Sequence, residues 1–264
     1  MSNQKNVLDL FKLDGKVAYV TGGGSGLGEA MAYALAQAGS KVAVVDVNLD
    51  NAKKVAETIS NSGGKAIAIK CDVTKATEIE GMINTIISNF GKLDIAVNNA
   101  GICISGPLEE VTEADWKRVI DVDLNAVFLC AQAAGKQMIK QGEGGSIVNT
   151  ASMSGTIINR GYAFASYCAA KAGVKHFTKA VAVDWAKYKI RCNSISPGYM
   201  RTPMTSRSWK EYPEIFRENM LNTTPIGRVG EPEDLGGAVV YLASEASSFM
   251  TGHDLIIDGG HSVW

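Results

Sequence analysis

Tyr167 and Lys171 stand four residues apart in the stretch Ser166-Tyr167-Cys168-Ala169-Ala170-Lys171, inside a run that reads as one long helix. On a helix the two project from one face, a turn apart. A phenol is a poor acid at neutral pH, with a reference pKa near ~10. An ammonium about 4 Å away is worth roughly 4 kcal/mol at an effective dielectric near ~20. That interaction lowers the phenol by up to ~3 units, into the range of a working general acid or base. A half-packed tyrosine beside a snorkelling lysine gives the same spacing, so the meaning of the pair rests on the elements that hold it.

Those elements alternate between strand and helix along the whole chain. Lys16 to Val20 reads as a buried strand, short and β-branched, followed at once by Thr21-Gly22-Gly23-Gly24-Ser25-Gly26-Leu27-Gly28 and a helical run from Glu29 to Ala38. Glycines at Gly22, Gly24, Gly26 and Gly28, with Ser25 and Leu27 between them, suit a loop that brings backbone amides against a pyrophosphate at a helix N-terminus. The next strand, Lys41 to Val45, ends in Asp46, eighteen residues after Gly28. An acid there accepts both hydroxyls of an adenosine ribose and repels a 2′-phosphate. Ser25 and Val47 supply no cation for such a phosphate, so NAD is favoured over NADP.

A helix over about Asp50–Ser62 leads to strand Ala66–Lys70 and to Asp72-Val73, where Asp72 is a candidate partner for the adenine amino group. A helix over about Lys75–Phe90 and strand Leu93–Val97 lead to Asn98-Asn99-Ala100-Gly101, candidates for the floor beside the nicotinamide ribose. A long helical region from Glu113 to Gln141, with Thr112 as N-cap, precedes strand Ser146–Thr150. The helix of Tyr167 and Lys171 runs to about Trp185, before strand Ile190–Ile195 and a last strand Leu255–Ile257. The alternation predicts an α/β fold, one Rossmann-type, doubly wound parallel sheet of about seven strands flanked by helices.

Composition narrows the classes of function. The chain has 264 residues, 46% of them hydrophobic, enough for a large core, and no internal linker, so one domain over residues 1–264 is expected. A net charge of −1 without a long basic run points away from nucleic acid and from anionic membrane surfaces. No apolar run has the length of a membrane span, and Met1-Ser2-Asn3-Gln4-Lys5 lacks a signal-peptide pattern, which predicts a cytoplasmic protein. Cys71, Cys103, Cys130, Cys168 and Cys192 are scattered through mostly apolar runs and read as reduced, buried thiols. His176, His253 and His261 have no metal-ligand spacing, so no metal is expected.

The motifs in order resemble those of the short-chain dehydrogenase/reductase family over nearly the whole chain, from Gly15 to Gly260. They are T-G-x-x-x-G-x-G at Thr21–Gly28, D-V at Asp72-Val73, N-N-A-G at Asn98–Gly101, Y-x-x-x-K, S-P-G at Ser196–Gly198 and D-G-G at Asp258–Gly260. The resemblance implies hydride transfer between NAD(H) and a secondary alcohol or ketone, in a homotetramer assembled through two long helices. Tyr167 exchanges the hydroxyl proton, Lys171 lowers its pKa and holds the ribose, and Ser152 orients the oxygen. Ser154 is the alternative to Ser152, because fifteen residues separate Ser152 from Tyr167 where many members have thirteen. The loop of Pro197, Gly198 and Thr202 closes over the nicotinamide, and the segment 203–225, with Trp209, Tyr212 and Phe216, resembles a mobile substrate lid. One departure stands out: Val122-Asp123-Leu124 occupies the place of a usual V-N-L. The family asparagine offers chiefly a backbone carbonyl to a proton-relaying water, which Asp123 supplies equally well.

Within the family, Asn6–Phe11, Asp121–Asn125 and Ser152-Met153-Ser154-Gly155 resemble the polyol and ketose branch of gluconate 5-dehydrogenases, mannitol or sorbose oxidoreductases and yeast carbonyl reductases. Polar residues before Tyr167 (Ser154, Asn159, Arg160, Tyr162) and around the lid (Arg201, Ser206, Arg207) suit a polyhydroxylated substrate, with Arg160 or Arg201 as a clamp for a sugar acid. The alternatives are a 3-oxoacyl-thioester reductase and a NAD-binding regulator without chemistry. Leu129 after Phe128, where thioester reductases often carry arginine, and an intact Ser152, Tyr167 and Lys171 argue against these.

Overall fold

The strands of this chain form because short, almost uninterrupted apolar runs have nowhere to go but between two helical layers. Val17–Thr21 (β1) is buried at every position, as is Ile95–Asn98 (β4), and Lys41–Asp46 (β2) is buried except at its ends. Runs without alternation are what a parallel sheet covered on both faces demands. The structure, a computed structural model, describes residues 6–211 and 213–263, less the side chains of Arg207, Ser208 and Ile215. The N-terminal five residues, Tyr212 and the Arg207 side chain, all read from sequence above, lie outside that description, as does Trp264.

With Lys65–Lys70 (β3), Gly145–Thr150 (β5), Ile190–Pro197 (β6) and Asp254–Ile257 (β7), the described strands make one seven-stranded sheet. Its order is β3-β2-β1-β4-β5-β6-β7 and every pairing is parallel. This is the Rossmann-type sheet expected from the alternation. The direction of winding reverses between β1 and β4, and the crevice beyond their C-terminal ends is where such sheets bind ligands. One face carries Gly26–Gln37 (α1), Leu49–Asn61 (α2) and Gly236–Ala243 (α9), around Leu35, Val44, Val55 and Leu242. The other carries Ala76–Phe90 (α3), Ala126–Gln141 (α5) and Ala165–Trp185 (α6), around Tyr19, Ile86, Met138 and Ile147.

Local signals set the boundaries. Asn48 caps α2, its side chain accepting from Asp50 N and Asn51 N, and Thr112 caps Glu113–Ile120 (α4) by accepting from Asp115 N. Gly91 and Gly142 end α3 and α5 in the left-handed conformation, at φ 84° and 76°.

The long helix expected over Glu113–Gln141 is interrupted. A π-turn spans Asp121–Asn125 between α4 and α5, with Ala126 N donating to Asp121 O. The extra residue in the turn rotates the helix face and drives Asp123 inward. The segment read as weakly patterned is largely helical, with Pro203–Glu211 (α7), Pro213–Phe216 (α8) and a π-turn over Arg217–Leu221. Among the described residues no helix is long and apolar enough to cross a membrane.

Candidate active site

The crevice at the C-terminal ends of β1, β4, β5 and β6 holds a cavity of about 840 Å³. It runs from the glycine-rich loop to the helix of Tyr167. Along its walls lie Gly22, Ser25, Gly26, Leu27, Asp46, Asp72, Val73, Asn99, Ala100 and Gly101 at one end, and Asp123, Ser152, Tyr167, Lys171, Pro197, Gly198 and Thr202 at the other. Gly24 and Gly28 stand behind this wall and shape it. Gly24 N donates to Asp46 Oδ2 at 3.0 Å, and a Cβ on Gly28 would collide with the Gly22 carbonyl oxygen. Gly22 and Gly26 hold φ of 62° and 58°, which a residue with a Cβ rarely adopts. The helix of the loop thus starts close against β1 and turns its free amides toward the cavity.

Asp46 is fixed at the strand end by two backbone donors, Gly24 N on Oδ2 and Asn48 N at 2.9 Å on Oδ1. Asp72 accepts from Thr74 N and Thr74 Oγ1, at 3.0 and 2.7 Å, and those bonds hold its carboxyl below the usual range. Asn99 joins three strands: its N donates to Thr21 Oγ1, its Nδ2 to Thr21 O, and its Oδ1 accepts from Thr150 Oγ1. Asn98 does not line the floor as expected. It is buried in the core, accepting from Tyr19 OH at 2.7 Å and donating to Asn149 Oδ1 at 2.9 Å. Gly198 passes so close to Asp258 that a Cβ would lie 2.6 Å from its Cα, which accounts for glycine in S-P-G.

At the reacting end, Lys171 is 3% exposed, donates from Nζ to Thr150 O at 3.0 Å and sits 5.5 Å from the Tyr167 ring centre. Burial raises the Tyr167 phenol, the Lys171 ammonium pulls it down, Asp123 pushes it up, and a bond from the Ser152 hydroxyl pulls it down. The net direction is upward, against the net lowering that lysine alone predicts, because burial and Asp123 outweigh the ammonium. Burial likewise depresses the Lys171 ammonium, but Asp123 and Tyr167 more than restore it.

The two serines differ in place. Ser152 lines the cavity with Tyr167, while the Ser154 hydroxyl donates to Asn159 Oδ1 at 2.6 Å and Ser154 N donates to Ser152 Oγ at 3.1 Å. Asn159 in turn donates to Tyr199 OH at 3.0 Å. Ser154 and Asn159 therefore brace the turn from behind. Arg201 is also engaged, its Nε 2.8 Å from Glu231 Oε1 and its guanidinium over the Trp209 ring, so the clamp expected of it is already occupied. Neither Arg160 nor Arg201 lines the cavity.

Asp123 was expected to offer its backbone carbonyl, with its side-chain contribution in doubt. The side chain, fully buried, faces Lys171 with Oδ2 3.1 Å from Nζ. Sequence reasoning also missed Lys117 and Arg118 of α4 and Val122 of the π-turn as parts of the cavity wall. No motif marks them. Cys71, Cys130 and Cys192 are buried as expected, whereas Cys103 is exposed beside the cavity and Cys168 half-buried.

A glycine-rich loop, an acid at the end of β2 and a Ser–Tyr–Lys group along one crevice have the chemistry a nicotinamide-dependent oxidoreductase needs. A family model described as Enoyl-(Acyl carrier protein) reductase matches residues 22–262. The chain is 44% identical over 260 residues to a probable NADP-dependent mannitol dehydrogenase of Yarrowia lipolytica, covering 97% of this chain and 91% of that one. It is also 44% identical to a sorbose reductase of Candida albicans, covering 97% and 90%. A crystal structure of a short-chain type dehydrogenase/reductase from Mycobacterium marinum superposes with a TM-score of 0.93 at 45% identity, over 97% of this chain and 99% of that chain. The chain belongs to the short-chain dehydrogenase/reductase family and acts on CH–OH groups.

Proposed function

We propose that this protein interconverts a secondary alcohol and a ketone on a polyol, ketose or sugar acid, with NAD(H) rather than NADP(H). The observation that carries the reading is the meeting of Ser152, Tyr167 and Lys171 at the closed end of the cavity that begins at Asp46. A bound nicotinamide cofactor supplies the site that takes up or gives back the hydride. The pocket fits such a group: Gly22, Gly24, Ser25, Gly26, Leu27 and Gly28 would hold the pyrophosphate, and Asp46 the adenosine ribose. Asp72 and Val73 would flank the adenine, while Asn99, Ala100, Gly101, Lys171, Pro197, Gly198 and Thr202 would line the nicotinamide half.

In oxidation Tyr167 takes the hydroxyl proton, and in reduction it returns it. Lys171 stabilises the phenolate by its charge, and Ser152 holds the substrate oxygen against the phenol. Mannitol and sorbose in the names of the two fungal relatives support the polyol and ketose class. The 203–225 segment would act as the lid of a single domain, and the long helices α5 and α6 as the contacts of a homotetramer. Tyr167→Phe should lower turnover by at least ~100-fold while NADH binding persists. Near-normal turnover in that variant would remove the acid–base assignment.

A further inference from the structure

The Asp123 carboxylate has an environment that its usual amide counterpart does not fit. Oδ1 accepts from Ile102 N at 2.8 Å, and Oδ2 lies 3.1 Å from Lys171 Nζ. Oδ2 makes no hydrogen bond among the described residues, so its compensation is the ammonium charge alone. Both side chains are closed off from water, Asp123 at 0% and Lys171 at 3% exposure. A carboxylate offers two acceptors, whereas an asparagine offers one oxygen and one NH₂. With its oxygen on Ile102 N–H, an asparagine would turn its NH₂ onto the ammonium. With its oxygen on Lys171, it would turn the NH₂ onto the N–H of Ile102. Glycine at position 101 makes room for the pair, since a Cβ there would stand 2.9 Å from Oδ2 and 3.4 Å from Nζ.

We infer that Asp123 is a charge-balancing positioning residue, which pairs with Lys171 and sets the pH range in which Tyr167 exchanges its proton. This rests on the acid–base reading of Tyr167 above. With a neutral residue at this position the phenol would face an uncompensated cation. With Asp123 it faces a pair of zero net charge, so oxidation needs a higher pH. The other titratable groups around the phenol are Cys103, from the loop after β4, and Cys168, on α6. The Cys103 thiol, crowded by surrounding protein although the residue as a whole is exposed, is pushed up to about 11, and burial raises Cys168 as well, so both stay neutral over the working range. Asp121, on the same π-turn, is held by Lys117 at 2.6 Å.

The size of the effect follows from distance. Oδ2 stands no farther than about 9 Å from the Tyr167 ring, and a unit charge there at an effective dielectric near ~20 moves a pKa by at least ~1 unit. In Asp123→Asn, the acid limb of kcat/KM for alcohol oxidation should move down by at least ~1 pH unit. A tyrosinate-absorbance titration, read as the difference from Tyr167→Phe in each background, follows the same phenol without turnover. It should show the same downward shift in Asp123→Asn even if that variant is slow. An unchanged or upward-shifted titration in a variant with native circular dichroism overturns the inference. A Tyr167→Phe enzyme of normal activity beside a shifted titration would instead remove the acid–base reading and leave the ion pair standing.

Discussion

The proposed preference for NAD(H) rests on the Asp46 carboxylate, and the effect of that charge can be sized from the structure. Asp46 is clamped by Gly24 N and Asn48 N, so it cannot swing away from a group arriving at the ribose 2′ position. Unit charges about 4 Å apart interact by roughly 4 kcal/mol at an effective dielectric near ~20. A 2′-phosphate carries about −1.5 to −2 charges, which sets an upper bound of ~6–8 kcal/mol. Asp46 is only half-buried at an open cavity mouth, and solvent and salt reduce this to ~2–3 kcal/mol. That corresponds to a preference for NAD⁺ over NADP⁺ of ~30- to 150-fold in kcat/KM.

Asp46→Ser with Val47→Arg removes the repulsion and adds a guanidinium at an already exposed position, Val47 being 63% exposed. It should bring the two cofactors within about threefold or reverse the order. The assay is the initial rate of reduced-cofactor absorbance at a saturating polyol, with each cofactor varied in turn. A wild-type enzyme with the higher kcat/KM on NADP⁺ would refute the reasoning.

Two further substitutions probe the scaffold. Gly28→Ala should abolish NADH binding, measured by fluorescence, because its Cβ would collide with the Gly22 carbonyl oxygen and part the helix from the loop; retained affinity would contradict the cradle geometry. Asn159→Ala leaves the Ser154 and Tyr199 hydroxyls short of a partner at a cost of about 1–3 kcal/mol, so the melting temperature should fall by ~3–8 °C; no change would mean that the brace contributes nothing.

Much of the fold was legible because strands such as β1 and β2 are short apolar runs with glycine or an acid at their ends. Such runs fix a parallel sheet without knowledge of neighbours. Thr202-Pro203 carried a helix-start signal for α7 that the polar composition of the segment obscured. That the Gly-rich loop, Asp46 and the Tyr167–Lys171 pair line one cavity was legible for a different reason: their own spacing encodes the local geometry that places them.

What stayed hidden depends on partners remote in sequence. Asp121-Val122-Asp123-Leu124-Asn125 keeps a helical pattern, so nothing local announces a π-turn or the ion pair across to α6. Asn98 and Asn99 look alike in N-N-A-G, yet one is claimed by Tyr19 and Asn149 in the core and the other faces the crevice. Arg201 read as a free cation until Glu231, thirty residues on, was seen to hold it.

The most direct test of the account is kcat/KM with NAD⁺ or NADH over mannitol, sorbitol, gluconate, fructose and sorbose, beside acetoacetyl-CoA. A free sugar, polyol or sugar acid should exceed the thioester by about tenfold or more. A thioester that exceeds every sugar by the same margin would contradict the account and make the protein a 3-oxoacyl-thioester reductase.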